Sequence, residues 1–459
     1  MSVFDGKRLP AGFFQIDTER LREGWYSDAY FLNTEMILTT LAEEGYNFNG
    51  MSDIIEIDNI NNINGISPVN LNNGDIIVEM QFFTRRRPFS LIAGTDEAIA
   101  ILRECTGYFN DKGQFVNTYH TMEVEAAMDG VVNFYEGNPK EVSPIMKIKG
   151  KYRDFARLET PILGVLTEST RIATNVYNVL AAAGGKDIMF FPARFAHYKV
   201  QEMHGYAYAL AVKAYNQKYG KSSRAIVSTN AQGNWWGAHG GGTVAHASIA
   251  CFLGDTAETM MQFCRVVPQE VPRIALVDFH NDCVGDTLKV MEKMFLAFLE
   301  LYQAGRYNEA EKYRLFGVRL DTSGNMRDVS IPPLGDKNLD CGVNPRLVWN
   351  VRNAIDRAYE SWDFPDSYAE LAKAWCQQVK IIATGGFDAA KISRFEEMRV
   401  PVDIYGVGSS FLENSNVNNT KNDFTADIVK VKIDDKWYDL SKVGRRSCSN
   451  PDLGLVGGI

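Results

Sequence analysis

Six short apolar runs in the second half of the chain each end in polar, charged or glycine residues. Phe191 leads into Pro192-Ala193-Arg194, Val227 into Ser228-Thr229-Asn230, Val277 into Asp278-Phe279-His280-Asn281, and Leu320 into Asp321-Thr322-Ser323-Gly324. Ala383 leads into Thr384-Gly385-Gly386, and Tyr405 into Gly406-Val407-Gly408-Ser409-Ser410. Glycine turns that open a helix expose backbone N–H groups suited to phosphate, so the last two point to a phosphorylated ligand, with ordinary turns as the plain alternative. Arg319 and Asp321 share one face of a strand by period two, and Asp278 ends the preceding run. Carboxylates placed there would accept from the hydroxyls of a ribose or hold magnesium with a diphosphate; a structural Arg–Asp ion pair is the other reading.

A second feature is the segment 237–246, with Gly240-Gly241-Gly242 at its centre. Consecutive glycines cost backbone entropy and mark a place where the chain approaches something closely or moves. His246 falls in the first turn of the next helix, either as a satisfied side chain or, beside a phosphate-binding face, as a phosphoryl acceptor.

These residues need a frame. The runs 188–191, 224–227, 274–277, 316–320, 380–383 and 402–405 read as strands, rich in β-branched and aromatic residues. Helical segments alternate with them, at 201–219, 243–263, 286–303, 346–359 and 389–399, each long enough for a right-handed crossover. The pattern predicts a parallel, barrel-like sheet whose strand ends share one catalytic face. The first 151 residues carry no strong period: a helix around 18–44, an Asn-rich loop at 58–73, a strand at 79–83 and a helix at 91–102 suggest an α/β module.

Composition narrows the function. At 459 residues, 45% hydrophobic and 23% charged, the chain is long enough for two or three domains and excludes disorder as its main state. No run is apolar enough to span a bilayer, and residues 1–14 show no leader pattern, so a cytoplasmic protein without a membrane partner is expected. A net charge of -9 argues against nucleic acid as a partner. Seven scattered cysteines without a Cys-x-x-Cys pair disfavour disulfides and a structural metal, and 424–459 should be metal-free. Trp235-Trp236 reads as packing; Arg85-Arg86-Arg87 and Arg445-Arg446 read as solvated charge, with contact to a polyphosphate the lesser alternative.

The ordered series Asp28-Ala29-Tyr30, Phe191-Pro192-Ala193-Arg194, Gly242-Thr243-Val244-Ala245-His246, Ala275-Leu276-Val277-Asp278, Gly317-Val318-Arg319-Leu320-Asp321 and Asp403-Ile404-Tyr405-Gly406-Val407-Gly408 resembles the nicotinate phosphoribosyltransferase family over most of the chain. The resemblance implies a type II phosphoribosyltransferase, α/β in class: an irregular, incomplete (β/α) barrel over 156–412, with an α/β domain over 1–155 completed by 413–459. It also implies a homodimer with active sites at the subunit interface. The partners would be nicotinate, phosphoribosyl pyrophosphate and ATP as co-substrate, with Mg2+ as cofactor, and the products nicotinate mononucleotide and pyrophosphate.

By the same resemblance, Phe191 and the neighbouring subunit's Tyr30 would stack on the pyridine ring, and Arg194 would hold an anionic group. Thr243 would line the substrate site, and His246 would be the histidine phosphorylated by ATP. Asp278 and Asp321 would contact ribose or magnesium diphosphate, Arg319 the pyridine acid or ribose side, and Gly385, Gly386, Gly408 and Ser409 the 5-phosphate. Related nicotinamide enzymes carry an Asp where this chain has Asn230; an Asn can donate to a carboxylate that an Asp would repel, which favours nicotinate over nicotinamide. Quinolinate enzymes share the fold but are much shorter and lack the glycine-histidine segment. The reading from another class is a barrel that binds a sugar phosphate without catalysis or isomerises it; a Schiff-base aldolase lacks its strand-end lysine.

Overall fold

The structure, a computed structural model, describes residues 6–48, 71–433 and 435–457. It divides into two compact units, one formed by Met1–Tyr177, Tyr206–Ala214 and Glu413–Ile459, the other by Asn178–Gly205 and Tyr215–Leu412. Most of the expected loop at 58–73 lies outside the described residues.

The second unit holds a six-stranded parallel sheet. Its spatial order is Ile274–Leu276, Gly317–Leu320, Lys380–Ala383, Ile404–Val407, Asp187–Phe190, Ala225–Val227. In chain order these are strands three, four, five, six, one and two, so the last strand pairs with the first, as in a barrel. Strands two and three are the two edges, and the sheet curls into a half-barrel open between them. Met189, Ile226, Ile274, Ile382 and Ile404 pack together from one face. Ile188, Phe190, Val227, Ala275, Leu320, Ile381 and Tyr405, on the alternate positions, are buried as well. Burial on both faces is why these runs read as continuously apolar rather than alternating.

All six expected strands form, each within about two residues of its sequence bounds. The helix expected over 243–263 does not run unbroken: residues 243–245 are irregular, His246–Cys251 is a short helix, and Thr256–Val266 is a second one. Leu253 and Gly254 between them have positive φ, and the Asp255 side chain caps the second helix by accepting from the Glu258 N–H at 2.8 Å. The helix expected over 18–44 is likewise split into Thr18–Arg22 and Ala29–Glu44, with Gly24 at φ 72° in the break.

The first unit is built on a six-stranded antiparallel sheet ordered Lys436–Asp439, Phe424–Ile433, Ile77–Thr84, Met146–Lys151, Glu123–Ala126, Gly454–Gly457. Strands from both chain ends thus complete one sheet. Met146–Lys151 alternates buried and half-buried residues, and Met80, Phe82, Val124, Met146 and Ile148 share a core with Ile99 and Leu102 of the helix Thr95–Cys105. That helix starts four residues later than expected, because Phe89–Leu91 is drawn into a two-stranded pairing with Val132–Phe134.

Glu159 opens the helix Glu159–Ala182 and is 8% exposed. Burial pushes its carboxyl up to about 7, against the lowering effect of the Tyr152 hydroxyl, which donates to Oε2 at 3.3 Å. An acid raised in the folded state contributes stability that is present below its unfolded value near 4.5 and is lost as pH rises through about 7. Glu159→Gln is therefore expected to raise the urea midpoint at pH 8 and to leave it nearly unchanged at pH 4.5. The gain at pH 8 should be on the order of 2 kcal/mol, exceeding the ~0.3–1 kcal/mol by which a helix start favours negative charge.

Candidate functional site

Parallel register brings the strand ends of the second unit level. Phe190 pairs with Val407, Leu320 with Ala383, and Leu276 with Arg319, so the residues that follow them line up along one rim. Two adjoining cavities open there. One, of about 120 Å³, is lined by Phe191, Arg194, Asp321 and the glycine turns at 385–386 and 406–408. The other, of about 480 Å³, is lined by Thr243, His246 and Ser228 among others. Phe191, Arg194, Arg319 and Asp321 border both.

Arg319 sits at the junction. Its Nη1 donates to Thr243 Oγ1 at 2.5 Å, its Nη2 lies 3.8 Å from Asp321 Oδ2, and its buried Nε has no hydrogen-bond partner. Burial lowers its pKa, opposed by the charges of Asp321 and Asp278 and reinforced by that of Arg194. The long Arg319–Asp321 contact makes the structural ion pair weak, so both groups retain capacity for a ligand. Asp321 Oδ1 accepts from the Thr384 hydroxyl at 2.7 Å, which fixes the carboxylate against the first glycine turn.

Gly385 and Gly386 both take positive φ, 88° and 68°, and both are exposed. Conformation, not space, requires glycine there, since a Cβ on Gly386 would meet nothing within 4 Å. Gly406 is the opposite case: a Cβ would lie 2.5 Å from Thr384 Cγ2 and 3.1 Å from the Phe191 ring. The absent side chain is what leaves room for the Phe191 ring beside the strand. The first glycine turn opens the helix Ala389–Glu397, whereas the second is followed only by the four-residue 3-10 turn Ser409–Leu412, so the expected helix start is missing there.

The glycine-rich segment folds back on the end of the strand Ala225–Val227. The Gly241 N–H donates to the Val227 carbonyl at 2.8 Å, and a Cβ on Gly240 would come within 2.7 Å of the Thr229 backbone. Close approach is thus the use of Gly240, whereas a Cβ on Gly241 would meet nothing nearer than 3.8 Å and one on Gly242 nothing within 4 Å. His246 then begins its helix with Nε2 3.0 Å from Asp278 Oδ1. The imidazole is 47% exposed and the carboxylate 8%. Burial raises the Asp278 pKa, with Asp321 adding to the rise and His246 opposing it.

Of the residues expected at the site, Phe191, Arg194, Thr243, His246, Arg319, Asp321, Gly385, Gly386, Gly408 and Ser409 line these cavities, and Asp278 joins them through His246. Asn230 does not: it lines neither cavity, and its Oδ1 accepts from the Gly240 N–H at 3.0 Å. Tyr30 lies in the first unit, 59% exposed, its hydroxyl donating to Asp28 Oδ2 at 2.9 Å. Sequence reasoning also passed over Lys391, which lines neither cavity but backs the first glycine turn: its Nζ donates to the Gly385 carbonyl at 3.3 Å and lies 4.1 Å from the centre of the Phe387 ring. Burial pushes its pKa down to about 8. Its place in the first turn of the helix after Gly385-Gly386 was the signal available.

Among the described residues no three His, Cys, Asp or Glu side chains gather as metal ligands, and no helix is long and apolar enough to cross a membrane. Residues 66–170 match the family model for the N-terminal domain of quinolinate phosphoribosyl transferase. No curated protein sequence matches the chain. Among solved structures it is similar to nicotinate-nucleotide pyrophosphorylase from Pyrococcus furiosus, with 22% identity and a TM-score of 0.59 over 97% of this chain and 85% of that one. It is also similar to human nicotinic acid phosphoribosyltransferase, with 16% identity and a TM-score of 0.50 over 78% of this chain and 71% of that one. A curled parallel half-barrel in one unit and, in the other, a sheet built from both chain ends give the chain the type II phosphoribosyltransferase fold.

Proposed function

We propose that the protein is a nicotinate phosphoribosyltransferase of pyridine nucleotide biosynthesis. The observation that carries this reading is the joining of Phe191, two guanidiniums and the glycine turns around one continuous pair of cavities. An aromatic face, cations for a carboxylate and backbone donors for a phosphate are what a pyridine acid and a ribose phosphate need together. The pyridine nitrogen lone pair forms the bond to C1 of phosphoribosyl pyrophosphate as the C1–O bond to pyrophosphate breaks. No general base is required, and positioning and charge stabilisation supply most of the rate.

Asp278 and Asp321 fit magnesium: two carboxylates close enough that the charge of Asp321 adds to the rise in the Asp278 pKa, on the rim where a diphosphate would lie. When bound, the ion would neutralise charge developing on the leaving diphosphate. His246 fits the phosphoryl acceptor. With Nε2–H donating to Asp278, the Nδ1 lone pair is free to take the terminal phosphoryl group of ATP, releasing ADP, and water later removes that group. The helix Ala29–Glu44 contains no buried residue and exposes Tyr30, Met36 and Ile37, which supports a homodimer that covers it. The seven cysteines stand free, which supports a cytoplasmic setting.

The domain match at 66–170 favours quinolinate as the second substrate to try. The test is pyrophosphate release with magnesium and phosphoribosyl pyrophosphate, offering nicotinate, nicotinamide and quinolinate separately, each with and without ATP. Release with nicotinate, increased by ATP, is expected. Release with nicotinamide or quinolinate alone would replace the substrate, and none with any acceptor would overturn the activity. Because Lys391 holds its proton only below about 8, the KM for phosphoribosyl pyrophosphate should rise as pH passes that value. In Lys391→Arg, where the charge persists, that rise should disappear.

A further inference from the structure

The strand Ile77–Thr84 of the first unit runs into Arg85-Arg86-Arg87. With the loop beyond Glu413 these arginines wall a cleft of about 470 Å³, to which Asn416, Asn419 and Lys421 also contribute. Solvated charge was the expectation, yet Arg86 is only 4% exposed. Its guanidinium donates to Asn175 Oδ1 at 2.7 Å and to the Arg171 carbonyl at 3.4 Å, both neutral acceptors. Burial, with the charge of Arg171 nearby, pushes its pKa down to about 10. Arg85 lies 4.6 Å above the Phe83 ring, and its buried Nη2 has no hydrogen-bond partner. Arg87 donates to the Gly137 carbonyl at 3.2 Å.

The carboxylates near this cleft have ion pairs with other cations, although Asp427 also feels the charge of Arg85. Asp423, on the cleft wall, pairs with Lys421 at 3.0 Å, Asp427 with Arg445 at 2.8 Å, and Glu168 with Arg171 at 3.8 Å. Among the described residues none of the three cleft arginines has an ion pair of its own. A buried guanidinium without a counter-charge costs several kcal/mol, a cost that an anion carrying several acceptor oxygens would offset. The cleft is roomy, walled by guanidinium forks and asparagine amides, and lies within the first unit alone.

We infer that this cleft is a binding site for a polyphosphate group, either free pyrophosphate or the tail of a nucleotide. The inference rests on Arg86, buried without a counter-charge, and on the cations gathered around it, not on the reaction proposed for the second unit.

The experiment is hydrogen exchange of the full chain read by mass spectrometry, with inorganic pyrophosphate, ATP and sulfate as separate probes. Bound ligand slows local opening by a factor of one plus its concentration over Kd, about tenfold at ten times Kd. Slowing is expected in peptides spanning 84–90 and 414–425 with pyrophosphate or ATP. Slowing by both identifies the polyphosphate group as sufficient, and slowing by ATP alone identifies a nucleotide tail. It should be lost in the double variant Arg87→Gln, Lys421→Gln, which leaves the buried Arg86 in place, and kept in Asp321→Asn. No slowing by either polyphosphate, equal slowing by sulfate, or slowing that survives the double variant would overturn the site.

Discussion

Asp321→Asn is expected to lower kcat/KM for phosphoribosyl pyrophosphate by about 10²-fold or more while the protein folds normally. The carboxylate borders both cavities, accepts from Thr384 at 2.7 Å and lies 3.8 Å from the Arg319 guanidinium. Asparagine preserves its size and one acceptor oxygen but removes the charge. Thr384 keeps its partner, so the turn at Gly385 should hold, and the loss should appear in kcat rather than in the thermal midpoint. Steady-state kinetics at several magnesium concentrations check it. A variant within about threefold of wild type would place Asp321 outside the chemistry.

His246→Ala should abolish stimulation by ATP and reduce ATP hydrolysis by at least ~10³-fold, the scale on which loss of a covalent nucleophile acts. Asp278→Asn should do nearly the same by a different route. An amide there lacks the charge that fixes the proton on Nε2, and its Nδ2 can donate to Nε2 as readily as its Oδ1 accepts, so the lone pair at Nδ1 is no longer held available while the ring stays in place. Trapping with labelled ATP and detecting an acid-labile, base-stable phosphoryl group on the wild type, absent in both variants, checks the pair. Hydrolysis that persists in His246→Ala would remove the phosphohistidine from the reading.

The two readings differ in what they ask of the chain. Strand ends are levelled by register, which is why the sequence could place Phe191, Arg194, Arg319, Asp321 and the glycines at 385, 386 and 408 along one rim, where they line one cavity. Asn230 was expected at the substrate, but it sits on the short helix Asn230–Asn234 and spends its Oδ1 on the backbone of Gly240. Nothing in a linear pattern announces that a glycine ten positions further along will return to that side chain. Lys391 was passed over for a related reason: a lysine in a first helical turn reads as solvated until a neighbouring aromatic ring and a carbonyl desolvate it.

By itself the sequence determined the parallel half-barrel, because six apolar runs separated by helix-length segments leave short-range pairing few alternatives. It also determined which residue types stand at the strand ends, and so the kind of ligand they suit. Tertiary structure alone decided the rest. The antiparallel sheet of the first unit joins strands from opposite ends of the chain, pairing Thr84 with Phe424 and Ile77 with Lys432, which local periodicity does not encode. The same long-range closure buries Arg86 away from any carboxylate and turns a run that reads as solvated charge into an unbalanced cation. Burial and charge balance are sums over residues distant in sequence, and only the folded chain carries them out.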